Sequence, residues 1–183
     1  MSEKRLADRI ALVFGAGSVG EGWGNGKAAA VAYAREGAKV IAIDLDKKAA
    51  DATRDIILSE GGHCDAYAAN ATNSEHIAGI VAETLGKHGR LDILHNNVGM
   101  AKMGSVTDLS ESDWDLALAV NLKSAFLTCK HVLPAMLAQK SRCIINISSL
   151  AAIRYTGYPY PASYAAKGGL NQLTVGLALE YAA

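Results

Sequence analysis

The stretch Ile10-Ala11-Leu12-Val13-Phe14-Gly15-Ala16-Gly17-Ser18-Val19-Gly20 decides the fold. Five apolar residues in a row, without alternation, read as a strand covered on both faces. The glycines behind them let the backbone approach a bound anion closely. A helix opening just afterwards offers N–H donors and a partial positive charge. Taken alone, the G-x-G-x-x-G spacing is a weak signal, equally served by a flexible turn with no ligand. Here a strand precedes it, a helical stretch follows, and Asp44 closes the next apolar run. Gly22, Gly24 and Gly26 prolong the loop. A glycine inside a helix costs about 1 kcal/mol relative to alanine, so the helix is expected to begin near Gly26.

Working outward, short apolar runs alternate with longer helical stretches. Ile10–Phe14, Lys39–Ile43, Asp92–His95 and Cys143–Ile147 are predicted strands, and Asp65–Ala68 is a weaker fifth. Helices are predicted over Lys27–Glu36, Lys47–Ser59, Glu75–His88, Glu111–Gln139 and from about Tyr164 to Ala183. The long one opens on Ser110-Glu111-Ser112-Asp113, a capping-box pattern. Its apolar set Trp114, Leu118, Leu122, Ala125, Cys129 and Val132 recurs at helical spacing. Alternation of this kind implies right-handed βαβ units: an α/β, Rossmann-like three-layer sandwich with a doubly wound parallel sheet. Residues 1–183 therefore read as one dinucleotide-binding domain. The last helix should deliver a sixth strand in the order 3-2-1-4-5-6; without it the fifth strand is an exposed edge, which another subunit covers or a fragment leaves open, and the expectation is a fragment lacking its C-terminal strands and substrate loop.

Composition agrees with one ordinary globular domain. Of 183 residues, half are hydrophobic and a fifth charged, which excludes disorder. Eighteen basic and 18 acidic side chains cancel, leaving no electrostatic footprint for nucleic acid or an anionic membrane. The expected partner is a small molecule. Cys64, Cys129 and Cys143 are odd in number and widely spaced, which suits reduced thiols better than a disulfide frame or zinc site. The five histidines, His63, His76, His88, His95 and His131, show no metal spacing, and no metal is expected. The start Met1–Arg9 has no apolar core, and no run of membrane-spanning length is evident, so the cytoplasm is the expected compartment.

Further motifs follow in order: Asn96-Asn97-Val98-Gly99 after the fourth strand, Asn121 in the long helix, Ser148-Ser149 after the fifth strand, then Tyr164 and Lys167. With the glycine loop and Asp44 they resemble the short-chain dehydrogenase/reductase family, in its classical branch, from about Ala7 onward. The resemblance implies a nicotinamide cofactor held by Gly15, Ser18, Gly24, Asn25 and Gly26, by Asp44, Asn70 and Ala71, and by Asn97, Gly99, Tyr164 and Lys167. It implies alcohol/carbonyl oxidoreduction, with Asn121, Ser149, Tyr164 and Lys167 as the catalytic set, and a homodimer or homotetramer. The chemistry suits those types. A phenol near pKa 10 is a poor base at neutral pH, and a nearby ammonium lowers it by stabilising phenolate. Ser149 would hydrogen-bond the substrate oxygen, and Asn121 resembles a residue that holds a relay water. Asp44 would bind ribose hydroxyls and repel a 2′-phosphate, so NAD is expected over NADP.

Several positions depart from the family pattern. Phe14 stands where threonine is usual, Val19–Trp23 look inserted, Val98 replaces alanine, and Asn70 replaces an aspartate. The family's Tyr-x-x-x-Lys is one residue short here, Tyr164-Ala165-Ala166-Lys167, and Ser163 stands four before the lysine. The competing readings are a cofactor-binding module without turnover and an interaction scaffold that binds no nucleotide.

Overall fold

A computed structural model describes residues 4–141 and 143–182. Five strands, β1 (Ile10–Phe14), β2 (Lys39–Asp44), β3 (His63–Ala68), β4 (Ile93–Asn96) and β5 (Ile144–Asn146), form one parallel sheet ordered β3-β2-β1-β4-β5. The helices are α1 (Asn25–Arg35), α2 (Lys47–Ser59), α3 (Ser74–His88), α4 (Glu111–Leu118), α5 (Ser124–Ala138) and α6 (Pro161–Glu180). Side chains alternate across β1. Ile10, Leu12 and Phe14 join Ile77 and Ile80 of α3 and Leu127, Val132 and Met136 of α5 in one core. Val13 packs on the other face with Ala30 and Val31 of α1 and Ile57 of α2. Each βα step thus covers a strand that is apolar on both sides, which is why the runs read as continuous.

The differences from the sequence reading have local causes. Residues 111–139 are not one α-helix: a π-helical turn over Ala119–Lys123 separates α4 from α5. α1 starts at Asn25, and α6 starts at Pro161, where a proline in the first turn loses no hydrogen bond. Ala183 lies outside the described residues. β3 begins at His63, because pairing with β2 from Lys39 onward, and not apolarity, sets its length. The run Glu111–Ala138 is long and apolar enough to cross a membrane, against the expectation of no such run. Half of its most apolar window is buried inside the fold. The three cysteines are free thiols, and Cys143, expected to open the fifth strand, is exposed just before β5.

Among the described residues, β5 pairs with β4 alone. Beside its open edge lies a cleft of about 290 Å³ lined by Leu133, Ile144, Asn146, Thr174, Leu177 and Tyr181.

Candidate active site

The C-terminal ends of β1, β2, β4 and β5 share one rim, where an open parallel sheet binds ligands. At the end of β1 the chain turns through Gly15 at φ +74°, a conformation that glycine adopts freely. A Cβ on Gly15 would lie 3.1 Å from Val98 N, and one on Gly17 would lie 2.5 Å from Ala49 Cβ. On Gly26 a Cβ would overlap the Gly15 carbonyl and stand 2.7 Å from Asn97 Nδ2. The loop is thus a backbone cradle in which side chains have no room. Its far side is α1, whose N-cap Gly24 supplies no capping side chain, so first-turn N–H groups stay open for an anion. That donor set and that space fit the pyrophosphate of a dinucleotide.

Several predicted cofactor residues build this cradle from behind. Ser18 Oγ accepts Gly24 N–H at 2.7 Å and closes the long loop on itself. Lys27, buried, donates to Gly22 O at 2.9 Å and pins the inserted segment. Asn97 Nδ2 donates to Gly15 O at 3.0 Å, so its amide fixes the first glycine. Asp44 Oδ2 accepts Gly17 N–H at 2.9 Å, and Oδ1 accepts Asp46 N–H at 3.1 Å. The helix cap of α2 is Asp46, whose side chain takes Lys48 N–H, so Asp44 is left at the loop. Asn70 folds its carbonyl oxygen onto Thr72 N–H and Oγ1, leaving an exposed amide on the rim, with Ala71 buried beside it. Asn25 is exposed at the start of α1.

Across the rim, Asn121 and Lys167 come together. A Cβ built on Gly99 would lie 3.1 Å from Asn121 Oδ1 and 3.6 Å from Lys167 Nζ. Asn121 sits in the π-helical turn, and both of its amide atoms are engaged. Nδ2 donates to Met100 O (2.8 Å) and Ala117 O (2.9 Å), and Oδ1 accepts Met100 N–H (3.1 Å). Such turns interrupt helices at functional sites. Lys167 Nζ donates to Ile147 O at 2.8 Å, and burial lowers its pKa from the usual lysine value. Ser149 is exposed at the end of the β5 segment, its Oγ accepting Ala151 N–H at 3.2 Å.

Tyr164 is not brought to this group. Its hydroxyl accepts Thr156 N–H (3.2 Å), shares a hydrogen bond with Thr156 Oγ1 (3.0 Å) and donates to Tyr158 O (2.6 Å). Its ring lies 6.0 Å from that of Tyr155. α6 is unbroken from Pro161 and residues three apart on it are neighbours, so it is the hydroxyl's bonds to Thr156 and Tyr158 that hold Tyr164 away from Lys167.

A polar seam that the motifs do not announce ties the rim together. Thr128 Oγ1 donates to Asn96 Oδ1, Asn96 Nδ2 to Asn146 Oδ1, and Asn146 Nδ2 to Thr174 Oγ1, each at 2.8–2.9 Å. Ser148 Oγ donates to Asn171 Oδ1 at 2.6 Å, so α6 is stitched to the β5 segment on both sides of Ile147, whose carbonyl Lys167 holds. Asparagines ending two neighbouring strands were the available signal. Among the described residues, no group of three or more His, Cys, Asp or Glu side chains is placed to hold a metal ion.

A parallel Rossmann-type sheet with a glycine cradle on one side of its rim and an Asn–Lys pair on the other defines a nucleotide-dependent oxidoreductase architecture. The sequence profile described as short chain dehydrogenase matches residues 9–183, and the chain belongs to that family. A 3-oxoacyl-[acyl-carrier-protein] reductase of Thermotoga maritima is 36% identical, over 97% of this chain and 70% of that protein. A (2S)-[(R)-hydroxy(phenyl)methyl]succinyl-CoA dehydrogenase subunit of Thauera aromatica is 36% identical, over 96% of this chain and 68% of that one. Among solved structures, one described as a short-chain dehydrogenase/reductase from Burkholderia xenovorans superposes with TM-score 0.96 at 44% identity, covering 98% of this chain and 71% of that one. A metagenomic short-chain oxidoreductase in complex with NADP gives TM-score 0.88 at 35% identity, covering 96% and 77%.

Proposed function

We propose that this chain binds a nicotinamide dinucleotide along the rim and serves the interconversion of a secondary alcohol and a ketone. The observation that carries the reading is the pairing of the glycine cradle with Lys167, whose ammonium is buried between Gly99, Asn121 and Ile147. The bound group supplies or accepts a hydride. The chain's own residues do the rest. Gly15, Gly17, Gly24 and Gly26 seat the pyrophosphate, with the start of α1 pointing its dipole at it. Lys167 offers a cation for ribose and for a proton-bearing oxygen, and Ser149 offers a hydroxyl to the substrate oxygen. Asp44 adds a negative charge where a 2′-phosphate would lie, which supports NAD over NADP, although the metagenomic relative holds NADP. The apolar side chains that α4, α5 and α6 leave outside, among them Trp114, Leu116, Phe126, Val175 and Leu179, suit a homodimer or homotetramer.

A second reading, a cofactor-binding module without turnover, is favoured by one observation: Tyr164 holds its hydroxyl in the 156–158 loop and away from Lys167. Titration with NADH and NADPH, followed by a panel of alcohols and ketones, separates the two. Tight binding with turnover supports the enzyme; binding without turnover supports the module; no binding of either nucleotide refutes both. NAD is expected to bind at least tenfold tighter than NADP, about 1.4 kcal/mol, and Asp44→Ala to shrink that gap. Equal affinities in the parent would remove Asp44 from the ribose-binding role.

A further inference from the structure

Lys27 is the third residue of α1, and it is only 9% exposed, which is rare for a lysine. Its ammonium carries three protons, and one of them goes to Gly22 O at 2.9 Å. None of the ion pairs among the described residues includes it. Burying a charge without an opposite charge beside it is costly. The position adds to that cost, because the first turn of a helix carries partial positive charge and favours anions over cations. That turn of α1 holds no acidic residue to offset it. A cation kept here against both rules calls for an anion.

The direction of the side chain says where that anion would lie. Helical side chains lean toward the N-terminus, and Lys27 follows that lean past the end of its own helix. Its acceptor, Gly22, stands two residues before the N-cap Gly24. The ammonium therefore sits at the mouth of α1, where the first-turn N–H groups emerge, and not along the helix flank. The carbonyl that holds it belongs to Val19–Trp23, the stretch that lengthens the glycine loop. Gly22 presents that carbonyl with φ +111°, a backbone setting that residues with side chains rarely adopt. The hydrogen bond from Gly24 N–H to Ser18 Oγ closes the stretch at its neck.

We propose that Lys27 is a diphosphate-binding residue of this site, and that the lengthened loop serves to hold its ammonium there through Gly22 O. The inference rests on the nicotinamide-dinucleotide reading above and adds a full charge to a cradle otherwise built from backbone donors. The glycine turns and the helix end offer partial charges. Lys27 offers a whole one, with two protons left for phosphate oxygens. Such a charge-assisted hydrogen bond is about twice as strong as a neutral one. The bond to Gly22 O orders the long side chain beforehand, so less rotamer freedom is lost when the ligand arrives.

The test compares Lys27→Gln and Lys27→Met in the full chain. Glutamine removes the charge but keeps an N–H to offer Gly22 O, whereas methionine removes both. In calorimetric titration, ADP-ribose, which carries the diphosphate without the nicotinamide, is expected to bind at least tenfold more weakly to both variants than to the parent. Inorganic pyrophosphate is expected to raise the Tm of the parent and of neither variant. Without ligand, Lys27→Gln is expected to melt no lower than the parent, since it takes a buried charge away from the positive end of a helix. A fall of less than tenfold in Lys27→Gln overturns the inference. So does a fall accompanied by a lower unliganded Tm in that variant, the mark of a lysine that only props the loop. If Lys27→Gln does not fold, the parent decides: the NMR signal of the Lys27 ε-methylene is expected to move when ADP-ribose binds, and an unmoved signal overturns the inference. A parent that takes up pyrophosphate but not ADP-ribose refutes the dinucleotide reading, and the pyrophosphate response of the variants then decides this one. A parent that takes up neither overturns both.

Discussion

Replacing Asn121 by alanine isolates what the π-helical turn contributes before any ligand binds. The side chain is buried, and its amide makes three hydrogen bonds, two to Met100 and one to Ala117 O. A typical hydrogen bond nets about 0.5–1.5 kcal/mol, and a buried group stripped of its partner costs about 1–3 kcal/mol. Met100 is partly exposed, so water recovers some of its loss. Ala117 O is buried on α4 and retains only what helical neighbours offer. The expected destabilisation is therefore about 2–3 kcal/mol, which in a chain of this size lowers Tm by roughly 4–12 °C. Urea unfolding at fixed protein concentration measures it, with an unchanged m value showing that the same surface is exposed. Hydrogen exchange at the Met100 amide should quicken at the same time. A loss under about 0.5 kcal/mol, or unchanged exchange at Met100, would show that the turn is held by packing alone and refute the reasoning.

Three more outcomes follow from the geometry. Gly26→Ala drives a methyl group into Gly15 O and Asn97 Nδ2, so dinucleotide affinity is expected to fall at least tenfold with far-ultraviolet circular dichroism retained; undiminished binding would remove the cradle from the site. Asp92 is almost fully buried, and although burial pushes its carboxyl up, hydrogen bonds from Arg90, Ile10 N–H and Arg9 outweigh it and hold the pKa below the usual value. Its contribution is fully present above about pH 3.8 and lost as pH falls through the lower folded value; Asp92→Ala should cost about 3 kcal/mol near neutrality, and a cost under 1 kcal/mol in denaturant unfolding would count against the network. Burial lowers the pKa of His95, whose Nδ1 meets Tyr33 Oη at 2.8 Å. As pH falls below about 6.5 the unfolded chain takes the proton first, so stability declines, and His95→Gln should flatten that decline between pH 7 and 5; an identical slope would acquit the histidine.

How far the sequence carried these conclusions depends on where the information lay. α2 was legible to the residue, because Asp46 caps it and its apolar positions recur at helical spacing. β1 and its glycines were equally plain, since a buried parallel strand must be apolar on both faces. The π-helical turn was not, because it depends on Asn121 reaching across to Met100, a contact with no periodic trace. The start of α6 is local chemistry, set by Pro161, three residues ahead of the expected start at about Tyr164. Where that ring points is set by Thr156 and Tyr158, residues of an irregular loop, and no pattern within α6 reports it.

Among the described residues β5 has one unpaired side, and that side makes concentration a structural variable. A row of backbone donors and acceptors, flanked by the apolar cleft of Leu133, Ile144 and Leu177, is a template that any extended segment can join. Joining is bimolecular, so dilution keeps molecules apart and concentration brings edges together. Solutions of this chain should therefore change in light scattering with protein concentration before they change with temperature, and a short β-rich peptide laid along Ile144–Asn146 should suppress that change by occupying the edge first.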